Sequence, residues 1–277
     1  MNSSDENRDM NQTIHLNSCF KLARWIVALF VFAFAYQANA SITATGSDST
    51  FALVKKLADS FSEQSGVEFS LSGGGSSHGA QACIDAAVDF GFLSRKLKSS
   101  EISKGLTGYS YAMDGVAVVV NPQNPVSNLT LEELALIYSG ENEWPDGKKV
   151  IPFNRNEDSG TREVFESTVL HGKAFREDAK ISHDQLMLKQ VSRIPTAIGY
   201  TSAFHVQNTV KVLEIEGVAP DHSHILDGSY PISRTLTLAT RSDASEDVKA
   251  FVEFVLSAKG ASIIEEAGYI PLHKASE

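Results

Sequence analysis

The segment 89–93, Asp-Phe-Gly-Phe-Leu, offers almost no polar position to water, yet stretches with apolar residues at helical spacing surround it. A strand of that kind must be covered on both faces, which predicts a parallel sheet layered by helices. The chain after Ser41 keeps this rhythm. Residues 42–45 read as a strand, and Val54, Leu57, Ala58 and Phe61 as the buried stripe of the helix that follows. A strand at 67–71, a helix at 77–87 and a longer extended stretch at 109–121 come next. Thr130-Leu-Glu-Glu133 then reads as a capping box that opens a second unit. Strands are expected at 150–154, 194–200, 210–215 and 235–240, with a helix at 160–170 and a turn at 228–231. Asp243-x-x-Glu246 is expected to cap a helix carrying Val248, Phe251, Val252, Val255 and Leu256 on one face.

The residues before Ser41 read as an address. Lys21 and Arg24 precede twelve uncharged, almost wholly apolar residues, 25–36, and Ala38-Asn39-Ala40 follows. This is the pattern of a secretory signal peptide over 1–40 with cleavage before Ser41. Twelve helical residues rise about 18 Å, short of the roughly 30 Å hydrocarbon core that an anchor must span. The leader ahead of the apolar run is long and acidic, which makes Met10 a candidate start. Cys19 lies in no lipid-attachment pattern, and cleavage leaves Cys83 alone, so no internal disulfide is expected. The formal charge is −10, from 34 acidic and 24 basic residues, and no long basic run occurs, which argues against a nucleic-acid partner.

Three strand-to-helix turns carry small hydroxyl residues and glycine: Gly46-Ser-Asp-Ser-Thr50, Gly73-Gly-Gly-Ser-Ser77 and Asp158-Ser-Gly-Thr161. Each reads singly as an ordinary helix cap. Each also reads as an anion cradle, because a helix start presents unpaired N–H donors, hydroxyls add further donors and glycine admits a close ligand. Three together, with Arg155 just ahead of the third, favour a shared oxyanion site.

Other motifs compete. Gly75-Ser-Ser-His-Gly79 satisfies G-x-S-x-G and would make Ser77 the nucleophile of a hydrolase, but it falls too early in the chain for the preceding strands and the oxyanion loop of that fold. Asp221-His-Ser-His224 reads as a solvated turn, since no spacing elsewhere completes a metal set. No phosphate-binding P-loop pattern occurs. Cys83 reads as a small core residue, and Trp144 either as a loop cap on the core or as a ligand-stacking ring.

These residues resemble the phosphate-binding proteins of ABC importers, PstS-like and of the short type. Gly46-Ser-Asp-Ser-Thr-Phe51 looks like that family's first anion loop, GGGSSHG like its second, and Arg155-Asn-Glu-Asp-Ser-Gly-Thr161 like its R-x-[DE]-x-S-G-T signature. VAVVVNPQNPVSNLTLEELALIYSG, TAIGYTS, DGSYPISRTL and VEFVLSAKGASIIEEAGYIPL extend the likeness over about residues 42–272. The resemblance implies an α/β, two-lobed periplasmic binding-protein fold of type II with the ligand cleft between lobes. Lobe I would comprise 41–115 plus 236–277, and lobe II 116–235. It implies phosphate contacts from Thr50, the backbone of Phe51, Ser76, Arg155, Ser159, Gly160 and Thr161, with Ser49, Ser77 and Ser94 in the same set. Glu157 resembles the acidic partner of Arg155. It further implies a non-enzymatic periplasmic monomer without cofactor or metal, whose partners are inorganic phosphate and the membrane subunits of an ABC importer. A binding protein for sulfate or molybdate, and a sensor or scavenger without a transporter, share these features.

The chain departs from the pattern where many relatives carry Asp after the strand at 88–91: here Ser94 stands before Arg95. A hydroxyl donates or accepts, whereas a carboxylate only accepts, so weaker rejection of sulfate is expected. His78, where relatives have a small residue, reads as a surface position in the first turn of its helix.

Overall fold

Alternation along the strands decides how the sheet is covered. The computed structural model describes residues 41–140, 143–144 and 146–273; the expected signal peptide at 1–40 lies outside the described residues. The chain begins β1 (Ile42–Gly46), α1 (Phe51–Ser65), β2 (Phe69–Ser72), α2 (Ser76–Ile84), β3 (Phe90–Leu93), α3 (Ser99–Ser103) and the long β4 (Leu106–Val120). It continues through β5 (Asn128–Leu129), α4 (Leu131–Ser139), β6 (Ile151–Asn154), α5 (Gly160–Phe165), a π-helical turn Glu166–Leu170, β7 (Lys180–Ile181) and α6 (Asp184–Val191). Then come β8 (Ala197–Ser202), β9 (Lys211–Val212), β10 (Glu214–Ile215), α7 (His222–Leu226), β11 (Ser233–Arg241), α8 (Glu246–Leu256), α9 (Ala258–Glu266) and β12 (Ile270–Pro271).

The main sheet runs β2-β1-β3-β11-β4-β8-β6-β7. On β3, Phe90 and Phe92 enter one apolar cluster with Leu57 and Phe251, while Leu93 enters another with Ala80 and Cys83 on the opposite face. On β4, Val116, Val118 and Val120 pack with Tyr138, Phe165 and Tyr200, and Val119 packs the other way with Phe153, Met187 and Val191. Both faces are therefore covered in the middle of the sheet, at β3 and at β4, as segment 89–93 requires.

The pairing is mixed, not wholly parallel. β1 is parallel to β2 and β3, and β6 to β7 and β8, but β11 runs antiparallel to β3 and β4, and β4 antiparallel to β8. One physical cause accounts for it: a strand leaving one half of the molecule and a strand returning to it must point opposite ways. β4 and β11 are those two strands. β4 pairs with β11 from Leu106 to Gly115 and with β8 from Val116 onward.

Local expectations survive or yield for identifiable reasons. The capping box at Thr130 is formed, with the Glu133 N–H donating to Thr130 Oγ1 at 3.1 Å and the Thr130 N–H to Glu133 Oε2 at 2.8 Å. The cap of α8 is Ser245 instead of Asp243, whose carboxylate is taken by Arg241 at 3.0 Å. Asp221 caps the short helix α7, accepting from the His224 N–H at 3.0 Å. Trp144 is a core residue, donating from Nε1 to the Thr196 carbonyl at 2.9 Å. Cys83 is fully buried on α2, and burial pushes its thiol up.

Candidate functional site

Gly46 ends β1 where its carbonyl accepts the Gly75 N–H at 2.9 Å, while the Ser47 N–H donates to the Phe92 carbonyl at 2.8 Å. These bonds tie the turns after β1 and β2 to the end of β3. Ser47, Ser49, Thr50, Ser76 and Ser94 are all buried there. Phe51 opens α1 half-buried, its ring 6.2 Å from that of Phe92. From the other half of the molecule, β6 delivers Asn154 and Arg155, and α5 begins with Gly160 and Thr161.

The two halves meet at hydrogen-bond range. A Cβ on Gly160 would stand 2.7 Å from Ser94 Oγ, so only glycine lets α5 approach that closely. Gly75, with φ 103°, is equally constrained: a Cβ there would lie 2.6 Å from the Asp158 carbonyl carbon. The Ser77 N–H donates to that same Asp158 carbonyl at 3.1 Å.

Buried hydroxyls line the junction as a chain. Ser49 Oγ lies 3.4 Å from Thr161 Oγ1 and 2.9 Å from Ser47 Oγ. Ser47 donates to Ser94 Oγ at 3.0 Å, and Ser94 Oγ lies 3.3 Å from Ser76 Oγ, which accepts the Ser94 N–H at 3.0 Å. Of the sequence-predicted residues, this brings together Ser49, Ser76, Ser94, Gly160 and Thr161.

The remainder stand around that group. Arg155 is 1% exposed, with Nη2 3.9 Å from Asp48 Oδ2, and Asp48 Oδ1 accepts the Gly74 N–H at 3.0 Å. Thr50 begins α1 without a side-chain cap bond, its hydroxyl 3.4 Å from the Ser47 carbonyl. Ser159 is a cap in the ordinary sense, accepting the Arg162 N–H at 3.3 Å. The plain capping role thus holds at the third turn and not at the first. Ser77 turns to the rim: its hydroxyl donates to Glu163 and receives Arg95 Nη2 at 3.2 Å and Lys98 Nζ at 3.5 Å. A nucleophile elbow would pair that serine with a histidine, and these three partners are a carboxylate and two cations. His78 and Glu157 are exposed.

Two residues of the junction were not singled out from sequence. Arg234 on β11 and Asp114 on β4 form a fully buried pair, Nε to Oδ2 at 2.8 Å and Nη2 to Oδ2 at 2.5 Å. Asp114 Oδ1 also accepts from the Ser202 hydroxyl at 3.0 Å. Arg234 Nη1 reaches Thr161 Oγ1 at 2.5 Å, and Nη2 reaches Ser49 Oγ at 3.3 Å. A signal existed: Asp114 is the lone charge in β4, Arg234 shares β11 only with Arg241 at the strand's end, and charges in covered strands must pair. Tyr269 supports the same loop, donating to the Ser49 carbonyl at 3.0 Å; burial pushes its phenol well above the ordinary value.

A family model described as a PBP superfamily domain matches residues 35–259. The phosphate-binding protein PstS of Staphylococcus aureus (strain USA300) is 31% identical over 252 residues, covering 81% of this chain and 76% of that protein. The chain belongs to the PstS family of the PBP superfamily. Another PstS protein, from Bacillus subtilis, is 29% identical over 246 residues, with 85% and 82% covered. Among solved structures, a phosphate ABC transporter substrate-binding protein from Clostridium perfringens with bound phosphate superposes at TM-score 0.79 and 28% identity, covering 84% of this chain and 99% of that one. An ABC-type phosphate transport receptor from Vibrio cholerae gives 0.74 and 30%, covering 83% and 99%. This PstS-family chain has their two-lobed binding-protein fold.

Proposed function

We propose that this chain is an extracytoplasmic solute-binding protein that captures inorganic phosphate between its two lobes and delivers it to the membrane subunits of an ABC importer. The observation that carries the reading is the set of buried hydroxyls contributed by both lobes, with the buried Arg155 guanidinium 3.9 Å from Asp48 in the turn that supplies Ser47 and Ser49. Phosphate stripped of water needs its oxygens met by donors, and charge-assisted hydrogen bonds contribute about 1.5–3 kcal/mol each. A planar guanidinium meets two oxygens at once.

In this reading lobe I is 41–115 plus 236–277 and lobe II is 116–235. The apolar clusters support that division, since Ala112 and Leu236 pack in one and Val116 and Ile232 in the other. Ser49, Thr50, Phe51, Ser76, Ser94, Arg155, Ser159, Gly160 and Thr161 form the phosphate site, with Ser77 at its rim bonded to Glu163. The protein is exported through its N-terminal signal peptide to the periplasm, acts as a monomer and catalyses no reaction. The engagement of Ser77 by Glu163, Arg95 and Lys98 speaks against a hydrolytic serine.

Ligand-stripped protein titrated with phosphate, arsenate, sulfate and molybdate tests this. At about a hundredfold excess over Kd, phosphate should stabilise the fold by about 2.7 kcal/mol, read as a rise in Tm. Arg155→Ala should remove most of that rise. No shift with any of the four anions would end the reading.

A further inference from the structure

Ser49, Ser76, Ser94 and Thr161 are buried, so an anion from solvent reaches their hydroxyls only when the two sides of the junction part. Entry and release must therefore break whatever bridges those sides. A charged bridge runs along the rim. Glu163 of α5 meets Arg95 Nε at 2.6 Å and Lys98 Nζ at 2.9 Å, and it accepts from the Ser77 hydroxyl. Arg95 Nη2 reaches that same hydroxyl at 3.2 Å. Its guanidinium is held on its own side of the junction by Glu101, with Nη1 donating to Oε2 at 2.9 Å and Nη2 to Oε1 at 2.8 Å. Arg95 is thus fixed in place, and Glu163 is the member that arrives with α5. The position of each rim residue along the chain ties the bridge to the hydroxyls. Ser77 follows Ser76, Arg95 follows Ser94, and Glu163 stands two residues after Thr161. Any movement that withdraws Thr161 from Ser76 and Ser94 also withdraws Glu163 from Ser77 and Arg95.

Resting on the anion-binding reading above, we propose that Glu163 and Arg95 are positioning residues that form a latch: their ion pair, made when α5 closes on α2 and on the end of β3, slows the release of bound phosphate. Closing on the anion and forming the pair are one motion. An interaction present in the closed form and absent from the open one shifts the equilibrium toward closed by its own free energy. Charge alone predicts the opposite sign. A carboxylate two residues from an anion-binding threonine repels the anion, so its neutralisation would tighten binding; a latch makes the same neutralisation loosen it.

The test is the rate at which protein loaded with radiolabelled inorganic phosphate releases it into excess unlabelled phosphate, measured beside the Kd of each variant. Glu163→Gln should release phosphate about two- to fivefold faster, the worth of one partly exposed pair, and its Kd should rise by about the same factor. Glu163→Lys, which sets another cation against Arg95 and Lys98, should release it faster still. Lys98→Met, at a side chain 49% exposed, should speed release by less than Glu163→Gln and keeps the test decisive if the Glu163 variants do not fold. In 1 M salt, where the Debye length is about 3 Å, the wild-type rate should approach that of Glu163→Gln. A release rate unmoved by Glu163→Gln, or by Lys98→Met where that variant does not fold, would overturn the latch and leave the rim cluster a structural contact. So would a Glu163→Gln variant that binds phosphate more tightly than wild type. A wild type that binds no phosphate overturns the anion-binding reading itself and this inference with it.

Discussion

Among the described residues, two ion-pair clusters differ in how far water reaches them. At the centre, the side chains of Arg234 and Asp114 are 0% exposed and reach hydroxyls on both sides of the junction. At the rim, Glu163 of α5 meets Arg95 at 2.6 Å and Lys98 at 2.9 Å, with side-chain exposures of 17%, 6% and 49%. Arg95 is held in turn by Glu101, Nη2 to Oε1 at 2.8 Å. The same chemistry does different work in the two places. Without water, an unmatched charge is costly, so the central pair is held in one geometry and orients its neighbours. Near solvent, the rim cluster gains less from each contact and is screened by salt.

Breaking the central pair should have the largest effect. Arg234→Ala leaves Asp114 buried without its cation, a loss of about 3–5 kcal/mol and, for a domain of this size, about 10 °C in Tm. A melt showing less than about 1 kcal/mol, the median for a surface pair, would erase the distinction between centre and rim. Glu163→Gln should cost much less, lowering phosphate affinity about two- to fivefold at low salt, the effect of a partly exposed pair. The deficit should shrink in 1 M salt, where the Debye length is about 3 Å; a salt-independent deficit would place Glu163 with the central group.

Acid sharpens the rim further. Burial alone would raise the Glu101 carboxyl, but hydrogen bonds from Arg95 and from the Lys98 N–H outweigh it and hold the group below its ordinary value. A carboxylate lowered in the folded state contributes stability that is present above its unfolded value and lost as pH falls through its folded one. Chemical denaturation between neutral pH and about pH 3 should therefore show a stability loss that Glu101→Gln reduces. The smallest effect is expected at the exposed Lys55–Asp59 pair on α1, 2.7 Å apart, where Lys55→Ala should change stability by no more than about 0.5 kcal/mol.

What the chain wrote locally, it wrote legibly. The covered strand at 89–93, the Thr130 capping box and the three glycine-hydroxyl turns depend on spacings of two to four residues, and a one-dimensional pattern carries those directly. The mixed sheet, the Arg234 pairing with Asp114 and the turn of Ser77 toward Glu163 depend on partners 120 and 86 residues apart. Periodicity along the chain marks which face of a strand is buried. It does not say which strand lies beside it, and the neighbours of Asp114 exist only once β11 has returned antiparallel to β4. Residue types therefore determined that three of its turns would carry hydroxyls beside glycine. Tertiary structure alone decided that hydroxyls from these turns meet, because the strands that bring them together, and the Arg234 guanidinium that reaches Ser49 and Thr161, are far apart along the chain.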